Sequence, residues 1–567
     1  MFKRLSLILI VGFTAACGGI PTTSAIYQGE DSQTATQQVI RVIARPPVDG
    51  MAPDAVVRGF LNACADSAED FAIAREYLTG AVQQNWNPNT GTQIYDSNRL
   101  SLTTTGEWIM VTAPLDSTIT TAGKLAYNET DNSVSQQYKL VKDSTGQWRI
   151  AELPNGLLLS RNDFDRSYRA FPTYFYGEKP NLLIPDFVML AGNTTSNATT
   201  LTRALLAGPS SELQPTLTSA IPLDTKLTYS GVPVNNGIAQ VDLSEEILSA
   251  DKTTREKISA QLVWTLTSLP GVSGVRIMIS GQQFEVPGIS GVQVTSDWNQ
   301  YAPDPKGQSA ALYSVTGANI VKFAENESTI VARANMAVGD SLNSAQISLQ
   351  RDQFAAIGQD GKQLLLSEPS QMVMNLIHTG STMSRPAWTA RNEIVVADYG
   401  NGITAYSSQG EVIDIQLETT PLGSESDIKS IAIAPDGVRI ALVFSAGDTD
   451  RLALGTITWT DVGISIQGTR KIENSISQIS DITWAHSQEL QLLGGIDNGS
   501  TALIGLAIGT GQWTTSSAPV GAQTLAVGAN SAIYVGVTDG DAAAIVKQEF
   551  GPWVKVIDAA APFAVIE

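Results

Sequence analysis

The chain has 567 residues, 43% of them hydrophobic and 16% charged, and its 55 acidic against 35 basic residues leave a net charge of −20. At roughly 150 residues per domain this length predicts three or four folded domains, and the composition excludes a long disordered tract. So acidic a balance argues against nucleic acid, which needs clustered Lys and Arg to displace counterions, and against electrostatic adhesion to anionic lipid.

Lys3 and Arg4 precede a short apolar run, Leu5–Val11, and the small residues Ala15-Ala16 precede Cys17. Basic head, apolar middle and small residues before a cut are the parts of a secretory leader. The run is far shorter than the ~20 residues a helix needs to cross a bilayer. A cysteine directly after Ala15-Ala16 resembles the bacterial lipobox, with Thr14 where that motif usually has Leu. The resemblance implies a leader over 1–16 and a mature chain that begins at Cys17. That residue would carry S-diacylglyceryl and N-palmitoyl groups, anchoring the protein in the cell membrane on its extracytoplasmic side. Losing residues 1–16 removes Lys3 and Arg4 but no acid, so the mature chain is more acidic still. The second cysteine, Cys64, lies in the apolar stretch 56–64 and reads as a small buried hydrophobe.

Residues 17–40 are polar and without periodicity, as in a tether. Residues 41–171 read as an α+β domain. Asp54 is placed to cap a helix bearing Val57, Phe60, Leu61 and Cys64 on one face, and a second helix is predicted over Phe71–Leu78. Strands are predicted at Trp108–Val111, Gln137–Leu140 and Gln147–Ile150. Helices followed by an antiparallel sheet, with the Gly146–Ile150 strand, resemble the NTF2-like cone. Such a cone either holds a small ligand or serves as a docking module.

Residues 172–300 predict a helix over Thr199–Leu206 and a strand with Ala239, Val241 and Leu243 on one face. Thr253 to Glu256 has capping-box spacing ahead of a helix with Ile258, Leu262, Leu266 and Leu269 on one stripe, stopped by Pro270-Gly271. Val275, Ile277 and Ile279 alternate as the next strand. Leu205-Leu206-Ala207-Gly208-Pro209, Val241-Asp242-Leu243 and Leu262 to Val272 resemble the GerMN domain, a family linked to envelope assembly that carries no catalytic residues to transfer.

Residues 308–567 change to many short strands. Strand centres at Ala355, Ile394, Ile440, Leu490 and Ile533 lie 39, 46, 50 and 43 residues apart, the period of a four-stranded propeller blade. Five repeats are visible and flanking strands can complete a sixth, giving five to six blades. The Ala434-Pro435-Asp436-Gly437 turn resembles TolB-like propellers. A pair of β-sandwiches is the competing reading.

A search for chemistry returns little. His378 and His486 lack partners at zinc-site spacing, and neither HExxH nor CxxC occurs. No GxSxG elbow or phosphate-binding loop is present. Ser249/Lys252 and Ser426/Lys429 have SxxK spacing without the SDN and KTG elements that would activate the serine. Asp360-Gly361, Asp436-Gly437 and Asp539-Gly540-Asp541 are turn chemistry rather than calcium loops, and Glu245-Glu246 suit a helix start. The sequence therefore reads as a binding protein, with no enzyme activity, no catalytic residue, no cofactor and no metal.

In this order, lipobox, NTF2-like α+β cone, GerMN α+β domain and TolB-like β-propeller resemble the LpqB family of actinobacterial lipoproteins over essentially the whole chain. That resemblance implies a multidomain α+β then all-β fold. It also implies a partner, the extracytoplasmic domain of the sensor histidine kinase MtrB, whose two-component signalling the lipoprotein would modulate, with effects on envelope homeostasis and division. Two readings compete with it: a solute-recognition lipoprotein for transport or wall synthesis, with ligand in the cone, and a wall hydrolase whose carboxylates converge from distant sequence.

Overall fold

Pro53 opens the first helix, α1 (Pro53–Ala63), one residue ahead of the expected Asp54 cap. A proline at the first helical position has no N–H to satisfy and a φ already set for the helix. The N-cap is thus Ala52, without a side-chain bond, and Asp54 sits in the first turn facing the helix dipole. The computed structural model describes residues 44–566 apart from 128–131, 179–181, 193–195, 304–310, 325–326, 419–423, 425–426, 473–475, 497–498, 529–530, 541, 549–551 and 560. The expected helix Phe71–Leu78 shortens to α2 (Ala72–Arg75), because Glu69, Asp70 and Phe71 all take positive φ and wind the chain the other way just before it.

After α3 (Gly80–Asn85) come strands β1 (Thr92–Tyr95), β2 (Ser101–Thr105), β3 (Trp108–Ile119), β4 (Leu125–Tyr127), β5 (Ser133–Lys142), β6 (Trp148–Glu152) and β7 (Leu157–Ser160). They form one sheet of order β6-β5-β3-β1-β7, with β2 and β4 also paired to the long β3. Alternate residues Ile109, Val111 and Ala113 of β3 face inward, where Val56, Val57, Phe60 and Leu61 of α1 complete the core. Helix α4 (Arg161–Ser167) closes the domain, capped by Ser160 Oγ, which accepts the Asp163 N–H.

The next two strands, β8 (Tyr168–Tyr176) and β9 (Leu183–Ala191), form a nine-pair hairpin that runs through the expected domain boundary at 171/172. Tyr168, Ala170 and Met189 at one end pack with Ile94, Ile119 and Phe164, whereas Phe175, Leu183 and Ile184 at the other end enter the core of the second domain. The hairpin is a beam shared by two domains.

That second domain holds α5 (Asn197–Leu206), β10 (Val234–Asn235), β11 (Ile238–Leu243), α6 (Lys252–Thr267), β12 (Gly274–Ile279), β13 (Gln282–Gln283) and β14 (Val292–Gln293). Strands β11 and β12 pair in parallel, with α6 as the crossover. The cap of α6 is Asp251, whose Oδ1 accepts the Thr254 N–H at 2.8 Å, not the expected Thr253. More than one stripe of α6 is buried: Ser259, Gln261 and Thr265 are 0% exposed. The polar groups of Gln261 and Thr265 serve the hairpin. Gln261 Nε2 donates to the Tyr174 carbonyl at 2.8 Å, and Thr265 Oγ1 accepts the Tyr174 N–H at 3.1 Å.

The remaining chain forms six four-stranded blades among the described residues. The innermost strands, Leu342–Ile347, Ala387–Trp388, Ile428–Ile433, Ile476–His486, Ala522–Val527 and Ala561–Ile566, contact one another in a closed ring. Strands are named A to D outward in each blade. The five sequence repeats are the B strands of blades 2 to 6. In blade 1 the B strand (Ala311–Thr316) pairs with an A strand supplied by the chain end, Ala561–Ile566, so the ring closes on itself.

Blades 3 to 5 dock onto the hairpin and second domain through their A–B and C–D turns. Arg391 Nε lies 2.7 Å from Glu178 Oε1. Val438, wholly buried, belongs to the same core as Phe175 and Leu183. Arg439, side chain 7% exposed, bonds Asp436 at 2.5 Å and reaches the Pro185 carbonyl. The first domain joins through Arg161 Nη2, which donates to the Thr510 carbonyl at 3.0 Å.

Candidate functional site

Cys17, with the expected leader and tether, lies outside the described residues, as do Ser426 and Asp541. Cys64 is 1% exposed, and burial pushes its thiol well above the usual range, which suits a packing residue and not a nucleophile. His378 packs its ring on Tyr406, and His486 Nδ1 accepts the Gln488 N–H while Nε2 faces Glu489 at 3.8 Å. Ser249 donates to the Glu246 carbonyl, Lys252 faces Glu256, and Lys429 is held by Asp450, so neither SxxK spacing makes a serine–lysine pair among the described residues. Glu245 and Glu246 are exposed at the start of a 3₁₀ turn. Asp360 and Asp436 accept backbone N–H groups two residues on, as turn residues do. Among the described residues no group of three or more His, Cys, Asp or Glu is placed to hold a metal.

The interior of the first domain does contain Trp86, Tyr95 and Tyr138, the residue types of a ligand cone. Their rings, however, pack on neighbours: Phe60 lies 5.3 Å from Trp86 and 6.1 Å from Tyr138, and Phe71 lies 6.0 Å from Trp86. Aromatic edge-to-face packing of this kind is core, and a solute there would have to displace it.

A cleft of about 350 Å³ opens instead where all three domains meet. Thr120 to Ala126 form one wall, Asp186 and Phe187 of the hairpin a second, Ala204 to Leu213 after α5 a third, and blades 4 and 5 the last. One side is fixed by a buried ion pair. Lys124 Nζ is 2.7 Å from Asp186 Oδ2, with 14% and 6% of these side chains exposed. Burial lowers the Lys124 pKa, and Asp186 opposes that shift. Asp186 also accepts the Ser210 N–H at 2.7 Å, and Thr173 Oγ1 donates to its carbonyl. On the propeller side, Trp484 is held by donating to the Ala432 carbonyl at 3.1 Å, and Arg470 Nε faces Glu212 Oε2 at 4.0 Å.

Sequence reasoning marked two pieces of this junction without seeing that they meet. Ala207-Gly208-Pro209 ends α5 at the cleft wall, and Asp436-Gly437 sets the turn that positions Arg439. The rest comes from segments hundreds of residues apart and has no local signature.

Comparison with known proteins agrees with this domain order. The family model described as the LpqB N-terminal domain matches residues 46–165, a sporulation and spore germination model matches 172–285, and the LpqB β-propeller model matches 319–563. A lipoprotein LpqB of Cutibacterium acnes is 26% identical over 550 residues, covering 92% of this chain and 91% of its own. One from Mycobacterium tuberculosis is 27% identical over 474 residues and 78% of each chain. The crystal structure of TolB from Acinetobacter baumannii is similar at 10% identity and a TM-score of 0.36, over 60% of this chain and 99% of that one. With two LpqB models together over more than half of its length and LpqB relatives aligned over 78–92% of it, the chain belongs to the LpqB lipoprotein family of actinobacteria.

Proposed function

We propose that the protein is a non-catalytic, lipid-anchored regulator on the extracytoplasmic face of the cell membrane, held there by acyl chains on Cys17. Its partner is the extracytoplasmic domain of the sensor histidine kinase MtrB, whose signalling it modulates. The family membership supports the anchor and the partner. The structural observation that carries the reading is the orientation of the propeller. Its A–B and C–D turns on blades 3 to 5 bind the rest of the chain, so the opposite rim, with its B–C turns and the links between blades, is the one left for a partner. That rim is stiff in blade 3. Asp398, 3% exposed, accepts N–H groups from Ser381 and Thr382 at 2.9 Å, beside the exposed Tyr399. A rigid cluster of exposed loops is a common recognition surface.

Anchoring both proteins in one membrane raises their effective concentration, so a weak interface suffices to regulate. The test is calorimetric titration of the full-length protein in detergent with the kinase's extracytoplasmic domain. Saturable binding weakened at least tenfold by Tyr399→Arg supports the reading, and no binding sinks it. Separately, Cys17→Ala should release the protein from membranes and abolish labelling by a fatty-acid probe.

A further inference from the structure

We propose that the three-domain cleft binds a neutral monosaccharide, its ring beside Trp484 and its hydroxyls on the internally paired charges of the wall. The volume of about 350 Å³ falls in the range of small-molecule sites, roughly 300–1,000 Å³, and such sites favour domain junctions. Small residues keep it open. A Cβ on Gly208 would meet nothing within 4 Å, and one on Gly468 nothing nearer than Thr456 Oγ1 at 3.9 Å, so both backbones border space and not packed atoms. Ala126 and Ala207 line the same space with the smallest side chain.

The charges define the ligand by cancelling. Five charged side chains line the cleft: Lys124, Asp186, Glu212, Arg439 and Arg470. Each has its counter-charge within the fold. Lys124 lies 2.7 Å from Asp186, Arg439 2.5 Å from Asp436, and Arg470 4.0 Å from Glu212. An ionic ligand would shed its water against a wall whose charges already balance, and its own charge would go uncompensated. A wholly apolar ligand would strip water from the same ion pairs and replace none of its hydrogen bonds. Hydroxyls replace them without adding charge. Glu212, with half of its side chain exposed, accepts hydroxyl protons, and Thr120 and Ser211 add hydroxyls of their own. Trp484, Leu454 and Phe187 supply an apolar stretch of wall for the C–H face of a sugar ring, which the electron-rich face of an aromatic attracts. Because Glu212 follows α5 and Arg470 belongs to blade 4, an occupied cleft would tie the second domain to the propeller. This inference stands apart from the kinase partner and needs no membrane.

The test is isothermal titration of the full-length protein, in a detergent without a sugar headgroup, with D-glucose, D-galactose and D-mannose. Each is run alongside its amino sugar and its uronic acid, which add a positive or a negative charge to the same ring. Saturable binding of at least one hexose is expected, with both charged counterparts at least tenfold weaker. Ala207→Leu, which fills space and leaves every charge in place, should weaken hexose binding at least tenfold, with an unchanged melting temperature showing that the fold survives. Glu212→Gln takes one negative charge from the balanced wall and should shift the preference toward the uronic acid at least fivefold. Absence of binding by all three hexoses overturns the proposal. So does equal binding of a charged counterpart, indifference to Ala207→Leu, or a preference unmoved by Glu212→Gln.

Discussion

Arg385 and Asp481 meet at 2.5 Å although they belong to blades 3 and 5 of a six-bladed ring. With blade 4 standing between them on the circumference, the contact joins two blades that are not neighbours in the ring. Blade 6 joins it. The Leu525 N–H donates to Asp481 Oδ2 at 2.7 Å, and Arg385 Nη1 donates to the Leu525 carbonyl at 3.3 Å. Each charged side chain is 10% exposed, so the pair is an internal staple rather than a surface bridge.

Arg385→Met should therefore destabilise the propeller by about 3–5 kcal/mol, since it leaves a carboxylate buried without its cation. Burial already pushes the Asp481 carboxyl up and Arg385 opposes that. A carboxyl with a raised pKa holds its proton more tightly in the fold, so stability falls as pH rises from the ordinary value through the raised one. The variant should lose more at pH 8 than at pH 5 in thermal melts, and Arg385→Met with Asp481→Asn should recover most of the loss. A melt of the single variant indistinguishable from the parent at both pH values would refute the staple.

Ring closure by residues 561–566 predicts that truncation after residue 559 unfolds the propeller disproportionately. Phe563 is 2% exposed in the core of blade 1, and its removal alone should forfeit about 3–5 kcal/mol. Limited proteolysis should then cut within 311–334, the strands left without their inner partner, before it cuts elsewhere.

Gly437 has φ +74, and a Cβ there would meet the Ala390 Cβ at 2.6 Å and its backbone nitrogen at 2.8 Å. The left-handed conformation by itself disfavours a side chain by about 1–2 kcal/mol, and the contact with blade 3 adds to that. Gly437→Ala should lower the melting temperature. It should also raise hydrogen exchange at Val438 and Arg439, two of the residues that dock the propeller.

The Lys124–Asp186 pair is expected to behave as a unit. Lys124→Met leaves Asp186 buried with only hydrogen-bond donors, and should cost about 3 kcal/mol. Adding Asp186→Asn should restore more than half of this, which a double-mutant cycle by chemical denaturation measures.

Cys64 should resist maleimide in the native protein and react on unfolding, because burial holds the thiol protonated. Labelling at native rates comparable to free cysteine would contradict its buried place at the C-terminal cap of α1.

Much of the domain order was legible from the chain alone. Alternation at Ala239, Val241 and Leu243 reports a strand with one face buried, and the spacing from Ala355 to Ile533 reports blades that each bury a face against the next. Turn glycines and the stop at Pro270-Gly271 are equally local. What only the tertiary structure decided is where one segment meets another far from it. The stripe on α6 could not show that Gln261 and Thr265 are buried too, because their partner is the backbone of Tyr174. The repeat of adjacent strands left room for a sixth blade, but it could not show that the inner strand of that blade is Ala561–Ile566. The cleft between Glu212 and Arg470 belongs to the same class. Periodicity records which side of a segment is hidden from water, and it carries no record of what hides it.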